Sequence, residues 1–548
     1  MKTPPPEPKK KPAGDRPKRK GVFDRFLDTV EWLGNLLPHP VTLFAIICVA
    51  VLLLSGLAGV MEWQVTDPRP EGASGRSEDG MIRAVSLLNP EGLRRIGSGM
   101  VTNFTGFAPL GTVLVALLGV GIAERSGLLA AAVRALVLGA PRSLLTAAVV
   151  FAAVISNTAS EMGYVVLIPL AAVVFHSVGR HPLAGLAAAF AGVSGGYSAN
   201  LLIGTVDPLL AGITTEAAAI IDPEYAVGGA KEVLATANWY FMMVSTFMIT
   251  VLGTLVTTFI VEPKLGAYDD SRAEEGVEEA AQNMDVLSAK ERKGLALAGV
   301  TAVILLGLVA ATVIPQAGWF RDPAAADQSF LEQIRPLLRS VVPLIFFFFA
   351  IPGIVYGRIT GSINNDRDVI DGMAKSMSTL GLYLVLVFFA SQFVAFFRWT
   401  NLGTITAVVG ADLLQDWNLT GPLVFIPFIL MCCFVNLMLG SASAQWAVTA
   451  PIFVPMLMTI GYSPQVIQAA YRIGDSTTNI ITPMMSYFGL ILAFAMRYDK
   501  KLGIGTLIST MIPYSIAFLT GWAILFYVWV FGFGMPVGPG TPTLYPGG

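Results

Sequence analysis

The chain has 548 residues, of which 54% are hydrophobic and 13% are charged, and its mean hydropathy is +0.67. This composition lies outside the range of soluble globular domains and predicts an all-α polytopic membrane protein. The formal net charge of −2 gives no support to nucleic-acid binding, so the expected partners are the lipid bilayer and small molecules.

Enzyme and pump motifs are missing from the sequence. The three cysteines, Cys48, Cys432 and Cys433, lie inside apolar runs, which favours core thiols over metal ligands. His176 and His181 form no HExxH pattern, and no GxxxxGK[ST] phosphate loop occurs. The sequence therefore predicts neither an enzyme nor an ATP-driven pump with its own nucleotide site, and these motifs indicate no cofactor.

Residues 1–21 contain eight Lys or Arg and several prolines before any apolar run begins. This composition predicts a disordered basic tail on the cytoplasmic side. Its charges fit a topology determinant, and contact with the lipid surface is the alternative.

About 20 apolar residues are needed to cross the hydrocarbon core of a bilayer. The sequence has nine such stretches, and they run over 41–61, 105–123, 183–211, 236–262, 293–314, 340–357, 377–398, 464–496 and 504–534. Two further apolar stretches, 142–175 and 421–459, are too long for one span and are broken by small polar residues. We predict that these two are re-entrant hairpins.

Lysine and arginine concentrate in the cytoplasmic loops of membrane proteins. With the tail inside, the loops 263–292, 358–375 and 497–503 also lie inside, and each carries several Lys or Arg. The loop 62–104 is then outside, although it has five arginines against six carboxylates. This predicts a cytoplasmic N-terminus and a C-terminus on the outer side of the membrane.

The order of elements predicts an inverted repeat. "SNTASE" at 156–161 matches "SASAQW" at 441–446, and "GGYSANLLIG" at 195–204 matches "GDSTTNIITP" at 474–483. The predicted units are the first helix and external loop (22–104), repeat 1 (105–262), a cytoplasmic loop with linking helices (263–376), repeat 2 (377–534) and an external tail (535–548).

Non-helical backbone at membrane depth must be satisfied by protein, water or a ligand. Loop carbonyls with Ser, Thr and Asn oxygens suit a hard cation such as Na⁺, and helix N-termini attract anions. The first predicted cation cluster is Ser156, Asn157, Gly196 and Asn200, and the second is Ser441, Ala442, Ser443 and Asn479. The alternative is that these polar residues only join neighbouring helices.

Charged residues at membrane depth are functional candidates. Arg472 and Asp475 are three residues apart, so on a helix they share a face and can neutralise each other. Alternatively, Arg472 attracts an anionic substrate while Asp475 carries a proton or helps to hold the cation. Asp207 follows the first broken span, with a helix N-cap as its alternative role, and Glu161 lies beside the first tip, where solvation is the alternative.

Aromatic and proline residues complete the predicted site. Trp446 can stack on an aromatic substrate ring, and packing or lipid contact is its alternative role. Pro464 and Pro483 bracket the second broken span and fit hinge or helix-breaking roles.

These segments resemble the AbgT family of p-aminobenzoyl-glutamate transporters, within the group that includes divalent-anion/sodium symporters. The resemblance covers about 22–534 and rests on "ISNTASEMGYVVLIPLAA", "GGYSANLLIGTVDPLLAGIT", "GSASAQWAVTAPIFVPM" and "YRIGDSTTNIITPMMSYFGL". It implies a homodimer of nine-span, two-hairpin protomers in the bacterial inner membrane, so that the external C-terminus is periplasmic. The site residues that it implies are Asp207, Ser443, Trp446, Pro464, Arg472, Asp475 and Pro483.

The resemblance also implies secondary active transport of p-aminobenzoyl-glutamate, p-aminobenzoate-like acids or sulfonamides, by alternating access coupled to Na⁺ or protons. An importer of folate breakdown products without drug export is the alternative. A channel would instead need a continuous polar path. A membrane enzyme would need a nucleophile with a base, or a metal cluster, at depth.

Overall fold

The computed structural model describes residues 38–67, 76–159, 163–269 and 287–545. The predicted basic tail and Glu161 lie outside the described residues. The helices of the first part are α1 (Pro40–Val60), α2 (Pro90–Thr105), α3 (Ala108–Ser126), α4 (Leu128–Leu138), α5 (Leu145–Ser156), α6 (Ile168–Ser177), α7 (Pro182–Phe190), α8 (Val206–Ala218) and α9 (Trp239–Val256).

The chain after the cytoplasmic loop predicted at 263–292 is also helical. Its main helices are α10 (Ala289–Val313), α11 (Val341–Thr360), α12 (Asp366–Ser378), α13 (Gly381–Trp399), α14 (Leu402–Asp416), α15 (Phe425–Leu439), α16 (Ala442–Thr459), α17 (Pro464–Asn479), α18 (Phe488–Met496) and α19 (Ile504–Phe526). Short helical turns occur at Glu262–Leu265, Phe330–Gln333 and Arg335–Arg339.

Eight helical segments in the described part of the chain are long and apolar enough to cross a membrane. The number is nine if Leu128–Leu138 and Arg142–Ser156, which are bent by 111°, form one broken span. The segments differ from those predicted. Pro422–Leu439 meets the criterion although we predicted it to be a hairpin arm, because an 18-residue arm is as long as a short span.

Two predicted spans are interrupted at polar and glycine-rich sequence. Helix α7 continues as a π-helix over Ala191–Gly195, and irregular backbone then leads to α8. Helix α17 ends at Asn479, and irregular backbone leads to α18. The backbone breaks within the two predicted hairpins follow α5, where a 3₁₀ turn covers Asn157–Ala159, and α15, where Gly440 has a φ of +56°.

The prediction of an all-α protein needs a correction. Strands β1 (Gln64–Thr66) and β2 (Met81–Arg83) form a two-stranded antiparallel ribbon between α1 and α2, within a segment that we predicted to be a loop. Arg83 hydrogen-bonds Asp79 across 2.5 Å and lowers the pKa of that carboxyl to about 2. The ribbon escaped prediction because three-residue strands leave no clear alternating pattern.

Helix α17 lies at the centre of the main core. All of its residues are buried, including Arg472 and Asp475, and it packs against α15, α16 and α19. Helix α10, by contrast, is mostly exposed, as expected for an apolar helix that faces lipid. The three cysteines are buried, as predicted.

A C-terminal segment, residues 537–545, contacts both parts of the chain. The carbonyl of Val537 accepts a bond of 3.0 Å from the amide of Phe241 at the start of α9. The Ser463 hydroxyl donates to the carbonyl of Pro542 at 2.6 Å. The Tyr545 amide donates to the carbonyl of Gly461 at 2.8 Å. The Tyr545 hydroxyl donates to the carboxylate of Asp222, beyond α8, at 3.2 Å. The segment therefore joins the part of the chain before residue 270 to the part after residue 286, which we call the first half and the second half.

Candidate functional site

A cavity of about 220 Å³ lies between the two sets of interrupted helices. From the first half it is lined by Asn157, Tyr164, Tyr197, Thr205 and Leu209; from the second half it is lined by Gly440, Ser441, Ala442, Ser443, Asn479, Met485, Ser486 and Tyr487. Five of the predicted site residues, one from the first cluster and four from the second, thus face one cavity. We call it the inner cavity.

The first predicted cluster comes together at the end of α5. The Asn157 side-chain amide donates to the carbonyl of Gly196 at 3.5 Å, and the Thr158 hydroxyl donates to Asn200 Oδ1 at 2.6 Å. Asn157 Oδ1 and Asn200 Nδ2 are buried without a hydrogen-bond partner in the described structure. The Ser156 hydroxyl donates to the Ala153 carbonyl within its own helix at 2.7 Å, and not to another residue of the cluster.

The second predicted cluster is organised by Asn436, a residue that we did not predict. Its side-chain amide donates to the carbonyl of Asp475 at 2.7 Å, to Thr478 Oγ1 at 3.0 Å and to Asn479 Oδ1 at 2.8 Å. Across the break, Ser441 precedes α16 without capping it by its side chain, so the first amides of that helix lack a side-chain acceptor from Ser441.

Arg472 does not form the predicted ion pair with Asp475. Its Nη2 donates instead to Asp207 Oδ1 at 2.6 Å, with 1% and 8% of the two side chains exposed. Asp207 lies in the first turn of α8, and Thr205 is the N-cap residue of that helix. Asp207 also accepts a bond of 2.7 Å from the Gly204 amide. A pairing three residues apart was plausible on a helix face, but the first half supplies a better oriented carboxylate.

Asp475 is fully buried, and neither of its carboxylate oxygens has a hydrogen-bond partner within the described structure. Its neighbour one turn earlier, Tyr471, donates its hydroxyl to the Ala442 carbonyl at 2.6 Å. A charged carboxylate without partners is costly in such surroundings. The structure therefore separates the two acidic residues by environment, with Asp207 paired to arginine and Asp475 unpaired.

Trp446 is a packing residue in this structure and has no lipid contact, because it is fully buried. Its ring stacks on Tyr471 with centroids 4.2 Å apart, and its indole NH donates to Thr214 Oγ1 on α8 at 2.9 Å. The ring does not line the inner cavity.

The two prolines lie at different distances from the cavity. Pro483 is in the irregular backbone that follows α17, four residues beyond Asn479. Pro464 begins α17, and a helical rise of about 1.5 Å per residue puts it about 22 Å along the axis from Asn479. The structure does not bring Pro464 to the inner cavity.

A wider cavity of about 820 Å³ lies beside the inner one, against α3, α12 and α13. Ser441, Ser443 and Tyr487 line both cavities. Charged side chains, Glu124, Arg125 and Lys375, are also in its wall.

Sequence reasoning missed Asn436, Thr158 and the tyrosines of the inner cavity. Asn436 had a usable signal, because a single amide inside an otherwise apolar helix must find partners. Thr158 and Tyr487 lay inside motifs that we had quoted, but their partners come from distant parts of the chain. In the described part of the chain, no three His, Cys, Asp or Glu side chains form a metal-binding group.

Comparison with known proteins gives the family. The sequence profile of the AbgT putative transporter family matches residues 25–545. The chain belongs to the AbgT family. It is therefore a membrane transporter and not an enzyme, as predicted.

Relatives of this AbgT chain include proteins of named function. It is 36% identical over 520 residues to the p-aminobenzoyl-glutamate transport protein of Escherichia coli (strain K12), covering 94% of this chain and 96% of the relative. MtrF of Neisseria gonorrhoeae, whose structure illuminates a class of antimetabolite efflux pumps, has 59% identity and a TM-score of 0.87 over 94% of this chain and 100% of MtrF. The Alcanivorax borkumensis YdaH transporter, with an unusual topology, has 44% identity and a TM-score of 0.82 over 92% and 100%.

Proposed function

We propose that this AbgT protein is a secondary active transporter of p-aminobenzoyl-glutamate, p-aminobenzoate-like aromatic acids and sulfonamide antimetabolites, driven by an ion gradient. The observation that carries the proposal is the inner cavity, which is lined by the interrupted segments of both halves. A binding site formed between two such halves is accessible from alternate sides when one half moves against the other. The named functions of the relatives support the substrate class.

The start of α16 fits the acidic group of such a substrate. Ser441, Ala442 and Ser443 line the cavity at the N-terminus of an 18-residue helix. The N-terminal amides and the helix dipole favour a negative charge there. We propose that Asn157, whose Oδ1 has no partner in the described structure, approaches the substrate from the opposite half.

We further propose that the halves are inverted repeats with re-entrant hairpins, within 105–262 and 377–534. Two hydrogen-bond patterns support this proposal. Asn157 bonds the carbonyl of Gly196, four residues before Asn200, and Asn436 bonds the carbonyl of Asp475, four residues before Asn479. These partners coincide with the sequence match between 195–204 and 474–483. They make Asn157 the counterpart of Asn436, and not of Ala442 as the match between 156–161 and 441–446 predicted.

A coupling Na⁺ fits the neutral oxygens around two asparagine pairs, Asn157 with Asn200 in the first half and Asn436 with Asn479 in the second. Amide, hydroxyl and carbonyl oxygens are ligands for a hard monovalent cation, whereas a transition metal prefers His and Cys groups. The residues that would hold Na⁺ are those of the two clusters named above. Protons are the alternative coupling ion, and the unpaired, buried Asp475 is then the proposed carrier.

The decisive experiment is uptake of labelled p-aminobenzoyl-glutamate and of a labelled sulfonamide into proteoliposomes, under separately imposed Na⁺ and proton gradients. Accumulation driven by an inward Na⁺ gradient supports a symporter, and accumulation driven by an outward proton gradient, in which protons leave as the substrate enters, supports an antiporter. Absence of ion-driven accumulation of either compound would contradict the proposed function. Import of the glutamate conjugate without any sulfonamide movement favours an importer without drug export.

Variants identify the coupling ion. For Na⁺ coupling, Asn157→Ala and Asn479→Ala are expected to raise the Na⁺ concentration for half-maximal transport. For proton coupling, Asp475→Asn is expected to abolish the pH dependence of transport, because the amide keeps the size of the side chain and cannot be titrated. Unchanged pH dependence in Asp475→Asn would exclude this carboxylate as carrier.

We also propose a homodimer in the bacterial inner membrane, with a cytoplasmic N-terminus and a periplasmic C-terminus. The exposed apolar surface of α10 and the basic loops predicted on the inner side support this arrangement. Labelling of single cysteines introduced at Ser378 and Thr543 in intact cells tests the orientation.

A further inference from the structure

A tyrosine pair joins the two halves at the inner cavity. The rings of Tyr164 and Tyr487 are stacked, with centroids 4.7 Å apart and an interplanar angle of 5°. Tyr164 lies in the π-helical turn Gly163–Leu167 of the first half, and Tyr487 immediately precedes α18 in the second. Each half therefore contributes one aromatic face to this contact.

Tyr487 also lies between the two cavities. Both tyrosines line the inner cavity, and Tyr487 lines the wider one as well, together with Ser441 and Ser443. The neighbouring backbone fixes this arrangement: a Cβ on Gly440 would lie 3.0 Å from the carbonyl group of Met484. The tip before α16 thus touches the segment that carries Tyr487.

The other aromatic groups of the region do not line both cavities, and Tyr197, which is also partly buried, lines only the inner one. Trp446, which we considered for this role, is already stacked on Tyr471 and bonded to Thr214, and it is fully buried. Tyr383 lines only the wider cavity, where its hydroxyl donates to the carbonyl of Pro109 at 3.0 Å. Tyr487 is only partly buried and lines both cavities.

We propose that Tyr487 is the ring-binding residue of the transport site, on which the benzene ring of the substrate stacks in place of Tyr164. The proposal rests on the proposed function and adds the residue that selects aromatic acids over aliphatic ones. Stacked aromatic pairs prefer centroid distances of about 4.5–7 Å, and the Tyr164 ring already occupies such a position. A flat substrate ring replaces one stacked contact by another, while its polar groups reach Ser441 and Ser443.

This exchange also links binding to motion. Once the substrate ring takes the face of Tyr487, Tyr164 has lost that contact, and with it the first half has lost one attachment to the second. The substrate therefore binds more tightly to the conformation in which Tyr164 has moved away from Tyr487. A ligand that binds one conformation more tightly than another shifts the population toward it.

The test measures binding to the purified full-length protein by ligand-induced thermal stabilisation. The probes are p-hydroxybenzoate, a p-aminobenzoate-like acid, and its saturated analogue 4-hydroxycyclohexanecarboxylate, which carry the same carboxylate and hydroxyl groups and the same net charge near pH 7. The wild type is expected to prefer the aromatic compound, and Tyr487→Leu is expected to reduce that preference by about 2- to 12-fold. Tyr487→Phe keeps the ring and is expected to keep the preference.

Tyr240→Leu is the matched control, because Tyr240 is also a partly buried tyrosine but lines neither cavity. Equal preferences in the wild type and Tyr487→Leu overturn the inference, as does a wild type that binds both probes equally. A wild type that binds neither probe overturns both the inference and the proposed function. Aromatic preference in binding without any ion-driven transport overturns the proposed function alone.

Discussion

Arg472 and Asp207 connect the two halves through one short, buried ion pair. The guanidinium comes from α17 and the carboxylate from α8, and Arg472 also bonds the carbonyl of Ser198 in the first broken segment at 3.4 Å. Two buried charges are tolerated when each compensates the other. If one residue of the pair is replaced, the charge of the other stays buried without a partner, which is strongly destabilising. The pair is therefore a structural link as well as part of the site.

Arg472→Ala is expected to destabilise the protein by about 3–5 kcal/mol and to abolish transport, because it leaves Asp207 charged and buried. The measurements are denaturant unfolding in detergent and proteoliposome uptake. The double variant Arg472→Met with Asp207→Leu removes both charges and is expected to regain most of the stability but no transport. Wild-type stability of the single variant would contradict this account.

At the scale of elements, the tip between α15 and α16 depends on glycine. Gly440 has a φ of +56°, a left-handed conformation that costs other L-residues about 1–2 kcal/mol. Its surroundings add a second constraint, since a Cβ there would press on the backbone of Met484. Both the backbone conformation and the close packing therefore favour glycine at position 440, which lines the inner cavity.

Gly440→Ala is expected to lower stability by more than the conformational cost alone and to impair transport, because the tip must move away from Met484. Gly361→Ala is the matched control: Gly361 has a φ of +85°, but an added Cβ would meet nothing within 4 Å. The control is expected to lose about 1–2 kcal/mol and to transport normally. Melting temperatures and uptake rates compare the two variants, and normal uptake by Gly440→Ala would refute the role of the tip.

Comparison of the helices with the sequence shows which structural features could be predicted. Apolar length identified the long helices α1, α10 and α11, because spanning a bilayer is a local requirement. It could not distinguish the 18-residue segment Pro422–Leu439, which contains α15, from a hairpin arm. It also overlooked the amphipathic helix α12. Among site residues, the small polar motifs led to Asn157 and Ser441–Ser443, whereas the Arg472–Asp207 pair and Asn436 depend on contacts distant in sequence.

At the scale of the whole molecule, the C-terminal segment completes the contact between the halves. It bonds the start of α9, the turn before α17 and Asp222 beyond α8. An isolated bridge between Tyr462 and Leu544 adds a backbone contact. These contacts lie at helix ends, where they restrain the relative positions of α9 and α17 without entering the inner cavity.

Deletion of residues 537–548 is expected to lower the melting temperature of the protein. Five hydrogen bonds join the segment to the rest of the chain, the fifth from the Ser463 amide to the Thr543 carbonyl, and at about 0.5–1.5 kcal/mol each they correspond to about 2–8 kcal/mol of unfolding free energy. Deletion of 546–548 alone retains these bonds and serves as the control. Equal melting temperatures for the two deletions would show that the segment contributes no stability.

The stack of Trp446 on Tyr471 has an optical consequence. The protein has nine tryptophans, and Trp446 is fully buried, whereas Trp319 and Trp417 are 89% and 63% exposed. A water-soluble quencher should therefore extinguish the emission of the exposed indoles and spare that of Trp446 and of the equally buried Trp522, and Trp522→Phe leaves Trp446 as the fully buried indole of this pair. Because the indole NH of Trp446 bonds α8 from α16, a movement that parts these helices would wet the ring and shift its emission to longer wavelength, so the native chain carries its own fluorescent reporter of this contact.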